Sequence, residues 1–143
     1  MMNKMMRKSI LAGAVLALAL GSAQARRAAV PMVEPDRVVV ATAEKPISAD
    51  AMQQAIINGG ASHDWTVVAK TPEKVTLRHV RKEIEATVDV SYDATGFKIQ
   101  YVSSANLDSS GSGANAQIHP TYNNWIKNLN QSISLAATQQ AGR

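Results

Sequence analysis

A two-layer α+β domain is predicted by three features of the chain. The hydrophobic spacing switches from helical to alternating at Trp65, two hairpin turns give registers that agree, and a long apolar stripe follows Pro120. The expected arrangement is a short helix, an antiparallel meander of three to four strands and a C-terminal amphipathic helix. Both helices are expected on one face of the sheet.

Residues 26–46 carry Pro31, Pro35 and Pro46 around Val38-Val39-Val40. Prolines this close together exclude a helix. They predict a mobile extended arm in which Val38 to Ala41 can add an edge strand. The folded domain is expected over 47–138, with 139–143 as a frayed tail. Ser48 is placed to N-cap a helix, and Asp50 falls in the first turn, where the helix dipole favours a carboxylate. Met52, Ala55, Ile56 and Gly59 share one helical face, and Asn58-Gly59-Gly60 reads as a stop, so this helix is about ten residues long.

Strands are expected at Trp65 to Ala69, Val75 to Arg81, Ile84 to Tyr92 and Phe97 to Ser103, with Thr71-Pro72-Glu73 turning the first into the second. Ile84, Ala86, Val88, Val90 and Tyr92 face one side, and Glu85, Thr87, Asp89 and Ser91 the other. An Asp93-Ala94-Thr95-Gly96 hairpin sets Tyr92 opposite Phe97, Val90 opposite Ile99 and Val88 opposite Tyr101. A turn at Lys82-Glu83 sets Ala86 opposite His79, Val88 opposite Leu77 and Val90 opposite Val75. A slip of one residue would move every one of these side chains to the wrong face. Lys82-Glu83 is poor chemistry for a tight primed turn, which favours Asn and Gly. The reverse face carries Thr76, Arg78, Glu85, Asp89, Lys98 and Gln100, so one side of the sheet is expected to be wet.

Ser103 to Gln117, rich in Ser, Gly, Asn and Ala, reads as a mobile loop. Pro120 or Thr121 then opens a helix whose stripe is Tyr122, Trp125, Ile126, Leu129, Ile133 and Ala136 or Ala137. There is no internal repeat.

The first twenty-five residues read as a secretory signal peptide. Lys4, Arg7 and Lys8 precede the apolar run Ile10 to Leu20, and small residues stand at Ala23 and Ala25, with cleavage expected near Ala25. The apolar run is shorter than the roughly 20 residues a spanning helix needs, so no membrane span is expected in the mature chain. The leader holds three of the fifteen basic residues and no acidic one, so the formal charge falls from +4 to +1 once it is removed. A balance this even gives no basic face for nucleic acid. The chain has no cysteine, which excludes disulfides, thiolate chemistry and an N-terminal lipid acceptor.

No catalytic or metal motif stands out, and no cofactor is expected. His63, His79 and His119 show no metal-ligand spacing. His79 falls on the apolar face, where it needs a hydrogen-bond partner. Asp108-Ser109-Ser110-Gly111 lacks the carboxylates of a calcium loop, and no serine sits in a nucleophile elbow. The most unusual stretch is Gln117 to Trp125. A ligand-binding surface is expected from His119, Tyr122 and Asn123 beside Asn106, with Tyr101 at the strand end.

Trp65, Arg78-His79, Val88 to Tyr92, Ile99-Gln100-Tyr101, Ser104-Ala105-Asn106-Leu107 and Ile118 to Trp125 form a recurring frame. Over residues 48–135 it resembles a family of small exported or lipid-anchored bacterial proteins of no assigned activity, whose specific motif is Ile-His-x-x-Tyr-Asn-x-Trp. This chain lacks the anchoring cysteine of some members and has a longer Ser/Gly insert. The resemblance implies an envelope location and an α+β layout, and supplies no reaction. The expectation is a periplasmic or secreted, non-enzymatic domain that binds an envelope component, protein or small ligand. The alternatives are a small hydrolase or metal-dependent enzyme using His79 or His119, and a structural or stress-buffering protein without a discrete site.

Overall fold

The computed structural model describes residues 27–142; the expected signal peptide lies outside the described residues. In chain order the elements are β1 (Val30–Pro31), β2 (Val38–Val39), α1 (Ala49–Ala61), β3 (Thr66–Thr71), β4 (Lys74–Arg81), β5 (Ile84–Tyr92) and β6 (Gly96–Ala105). A 3-10 turn at Gly113–Asn115, β7 (Gln117–Ile118) and α2 (Pro120–Ala141) complete them. The class is α+β, as the periodicity implies. Among the described residues no helix is long and apolar enough to cross a membrane.

The sheet has five antiparallel strands in the order β2-β6-β5-β4-β3. Both hairpin registers follow from the alternation. Tyr92 pairs Phe97, Val90 pairs Ile99 and Val88 pairs Tyr101 across one. His79 pairs Ala86, Leu77 pairs Val88 and Val75 pairs Val90 across the other. The Lys82-Glu83 turn forms in spite of its chemistry, with Lys82 at φ 56°. Glu83 O is then held from outside the hairpin by the Asn106 side-chain amide at 2.7 Å.

The apolar face is sealed by both helices. Val75, Leu77, Ala86, Val88, Val90, Phe97 and Ile99 from the sheet share one buried cluster with Met52, Ala55 and Ile56 of α1 and with Tyr122, Ile126, Leu129 and Ile133 of α2. The opposite face is laced by polar pairs. Arg78 meets Glu85 at 2.6 Å, Lys74 meets Asp89 at 3.4 Å, and Thr76 Oγ1 donates to Asp89 at 2.6 Å.

Four stretches differ from expectation. Helix α1 is capped by Ser48, whose Oγ accepts from Ala51 N–H at 3.1 Å, but it runs through Gly59 and Gly60 to Ala61. Those glycines are buried packing sites: a Cβ built on Gly59 would lie 2.7 Å from Ile133 Cα, and Ser132 Oγ donates to Gly59 O at 2.8 Å. The expected loop is partly structured, because β6 continues to Ala105 and Leu107 is buried beyond it. Ser110 and Gln117 exchange backbone hydrogen bonds of 3.0 and 2.8 Å to close the rest. The segment expected as a mobile arm lies against the domain: β1 pairs β7, and β2 forms on β6 the edge strand that Val38 to Ala41 allows. Finally, the expected tail from 139 continues α2 to Ala141, Gln and Ala being good helix formers.

The turn after β5 carries its own pH dependence. Asp93 accepts from Thr95 N–H at 2.9 Å and Gly96 N–H at 3.0 Å, and Arg37 Nη2 donates to it at 2.7 Å. These bonds, the Thr95 N–H first, lower its pKa to about 2, against the opposing effect of burial. A folded pKa below the unfolded one means that the unfolded chain binds the proton more readily. The contribution is complete above the ordinary value of 3.8 and is lost as pH falls towards 2. Because the carboxylate is largely exposed, solvent screening holds it to under about 1 kcal/mol. The stability gap between wild type and Asp93→Asn, from urea midpoints, should shrink between pH 6 and pH 2.5. A gap independent of pH would refute the assignment.

Candidate functional site

Pro31 and Pro35 favour extended backbone around Met32-Val33-Glu34, and the rest of the fold fastens this segment in place. Asn123, in the first turn of α2, clamps it with both ends of its amide: Oδ1 accepts from Val33 N–H at 2.9 Å, and Nδ2 donates to Pro31 O at 3.0 Å. Met32 N–H donates to Ala116 O at 2.9 Å. On the sheet side, Lys98 Nζ reaches Pro35 O at 3.4 Å and Gln100 Nε2 reaches Glu34 at 3.5 Å. A cavity of about 500 Å³ is left between this segment, β6 and the Ser/Gly loop.

Ile99, Tyr101 and Tyr122 line its inner wall, Glu34 and Gln100 stand on the arm and sheet sides, and Ser109 to Gly113 form the far rim. The two tyrosine rings meet edge to face with centroids 5.6 Å apart, a favourable aromatic geometry. Tyr101 OH shares a 2.8 Å hydrogen bond with Ser104 Oγ. Tyr122 is different. It is only 1% exposed, yet among the described residues its hydroxyl has no hydrogen-bond partner. Nor is that oxygen sealed in the core, where Asn130 Oδ1 is the one enclosed side-chain atom left unpaired among the described residues. The Tyr122 hydroxyl therefore opens into the cavity. Burial, and secondarily Tyr101 and the Glu34 charge, push its pKa above the ordinary phenol range, so it stays protonated and offers a donor.

Of the residues that the sequence singles out, the cavity brings together Tyr101 and Tyr122, and Asn123 holds its arm-side wall. The other two serve the backbone. Asn106, at φ 59°, holds Glu83 O, and His119 caps α2 by accepting Thr121 N–H on Nδ1 at 3.1 Å. Sequence reasoning misses Met32, Val33, Glu34 and the Ser/Gly rim, because proline- and serine-rich stretches carry no periodicity to mark them as walls.

His79 is buried between Trp65 and Trp125, with ring centroids 5.3 and 4.4 Å away. Its Nδ1 lies 3.1 Å from Asp64 O, and since a carbonyl only accepts, Nδ1 carries the hydrogen. Among the described residues no group of three or more His, Cys, Asp or Glu is arranged to hold a metal ion. A second depression, of about 680 Å³, lies by the β3–β4 and β5–β6 turns. Its phenol is already engaged, Tyr92 OH with Gln53 at 3.0 Å and Thr71 O at 3.3 Å, and its Asp93 is held by Arg37.

The fold and this groove define a small α+β protein with a tyrosine-lined, carboxylate-bearing cleft. Compared with family models, curated proteins and solved structures, the chain matches none.

Proposed function

We propose that this is an exported cell-envelope protein, periplasmic or secreted after cleavage near Ala25, that acts as a non-enzymatic binding module. The leader pattern of Lys4, Arg7 and Lys8 before Ile10 to Leu20 supports the location. So does the resemblance of the Ile118 to Trp125 motif to exported bacterial proteins. The observation that carries the binding reading is the Tyr122 hydroxyl, which belongs to a residue only 1% exposed, opens into a cavity of about 500 Å³ and has no hydrogen-bond partner among the described residues. A cavity of this volume falls in the range of roughly 300–1,000 Å³ usual for small-molecule sites. A donor that opens into a cavity and has no protein partner is free to bond a ligand acceptor.

The test is a thermal-shift screen against glycans, peptidoglycan fragments, lipids, small metabolites and divalent metals, run on wild type and Tyr122→Phe. A ligand at 100 times its dissociation constant stabilises by about 2.7 kcal/mol, and the variant should lose much of that shift. A silent panel, or hits indifferent to the variant, would overturn the reading. Stabilisation by a metal alone would favour a metal-dependent role instead.

A further inference from the structure

We infer that the groove takes a small ligand that carries both an ammonium group and a hydroxyl or carbonyl oxygen, as in an amino sugar or the amine end of a peptide. The inference rests on the reading of the groove as a ligand site and names what it recognises.

The lining contains two carboxylates, Glu34 and Asp89, and no Lys, Arg or His. An anion placed there would meet these carboxylates, and the nearest cations, Lys74 and Lys98, already face them. Asp89 is already engaged by Thr76 at 2.6 Å and Lys74 at 3.4 Å. Glu34 is held far more loosely, with Gln100 at 3.5 Å and Lys98 at 4.0 Å, both at the outer limit of such contacts. It is the charged group best able to turn to a ligand, and a ligand ammonium can approach it more closely than Lys98 does at 4.0 Å.

The second requirement comes from Tyr122. Its hydroxyl, on a residue only 1% exposed and without a partner among the described residues, is a donor free for an acceptor. A purely apolar ligand would leave that donor unpaired and further desolvated. An amine alone would satisfy Glu34 and not Tyr122. One small molecule answers both when it carries an ammonium and an oxygen acceptor together, since Glu34 and Tyr122 line the same cavity. Tyr101, half-buried at the same wall, adds an aromatic ring that favours a nearby cation.

The test is an NMR titration of the ¹⁵N-labelled protein, purified as the cell processes it. The probes are glucosamine, glycinamide, N-acetylglucosamine and glucose, at matched ionic strength. Saturable shifts at the Tyr101, Ser110 and Tyr122 amides are expected with glucosamine or glycinamide. N-acetylglucosamine, whose nitrogen is uncharged, and glucose should bind at least about tenfold more weakly, since hydrogen bonds to charged groups are the stronger ones. A response to glucosamine alone assigns the sugar source, and to glycinamide alone the peptide source. Glu34→Gln, which alters a largely exposed side chain, should weaken the amine about tenfold with the fold intact. Tyr122→Phe should weaken it without moving the melting temperature. Equal binding of charged and uncharged probes, or indifference to Glu34→Gln, overturns the ammonium assignment and leaves the groove a binding site. No saturable shift from either amine overturns the assignment as well. If the broader screen is also silent, the binding reading falls with it.

Discussion

Gly59→Ala is expected to destabilise the domain by about 2–3 kcal/mol, the upper range for overpacking a closed interface. The added methyl would lie 2.7 Å from Ile133 Cα and 2.8 Å from Ile133 N, atoms that cannot swing aside as a side-chain end can. The helices must separate, and the Ser132 bond to Gly59 O, 2.8 Å long, is stretched with them. Gly60→Ala is the control. There the nearest atoms are Leu77 Cδ1 at 3.1 Å and Trp65 Cβ at 3.3 Å, both of side chains. Each substitution gains about 1 kcal/mol of helix propensity, so the difference between them isolates the backbone contact. Urea midpoints should show Gly59→Ala strongly shifted and Gly60→Ala close to wild type. A Gly59→Ala protein as stable as wild type would mean that the α1–α2 crossing is not as close as described.

Tyr122→Ala is expected to cost about 3–5 kcal/mol, as for other large aromatic residues truncated in a core. The ring is buried with Ile99, Ile118 and Ile126 in the same cluster and packs edge to face on Tyr101. Its removal leaves a void continuous with the groove. Tyr122→Phe, by contrast, keeps the ring and deletes a hydroxyl that bonds to nothing among the described residues, so its stability should lie within about 0.5 kcal/mol of wild type. Calorimetry on the two variants separates them. A large loss from the phenylalanine variant would mean that the hydroxyl has a structural partner, and the binding proposal would lose its main support.

Much of the fold is legible in the sequence because β-strand alternation is a local signal. Val75, Leu77, Val88, Val90 and Ile99 define one face, and requiring it to close at both turns fixes both registers. Gly59 and Gly60 mislead for a physical reason. Glycine serves equally to end a helix and to admit a neighbouring backbone, and the neighbour that decides between them, Ile133, is far along the chain. The site was half legible. Tyr101 and Tyr122 stand out as aromatics at the edge of a polar stretch. Nothing local, however, reveals that the Tyr122 hydroxyl lacks a partner among the described residues or that Glu34 lines the same cavity. Asn106, His119 and Asn123 are polar residues at an αL position, a helix cap and an arm clamp, and there the backbone takes up their hydrogen-bonding capacity.

The ends of a sheet are where another chain can add to it. Strand β3 is exposed along its whole length, with Val67 and Val68 open to solvent. Such a strand invites edge-to-edge addition of another chain, the first step towards fibrous aggregation. Its pairing with β4, however, shifts register between Val67 and Ala69. A bulge of this kind bends and twists the strand, so its outer row of amides and carbonyls does not present a straight template. Lys70 adds a charge that an incoming strand would have to accommodate. At the other end β2 spans only two residues, too short to seed a ladder, and beyond it β6 is met by the arm, through Lys98 on Pro35 and Gln100 on Glu34. The domain thus keeps an open five-stranded sheet while offering a second molecule little to extend.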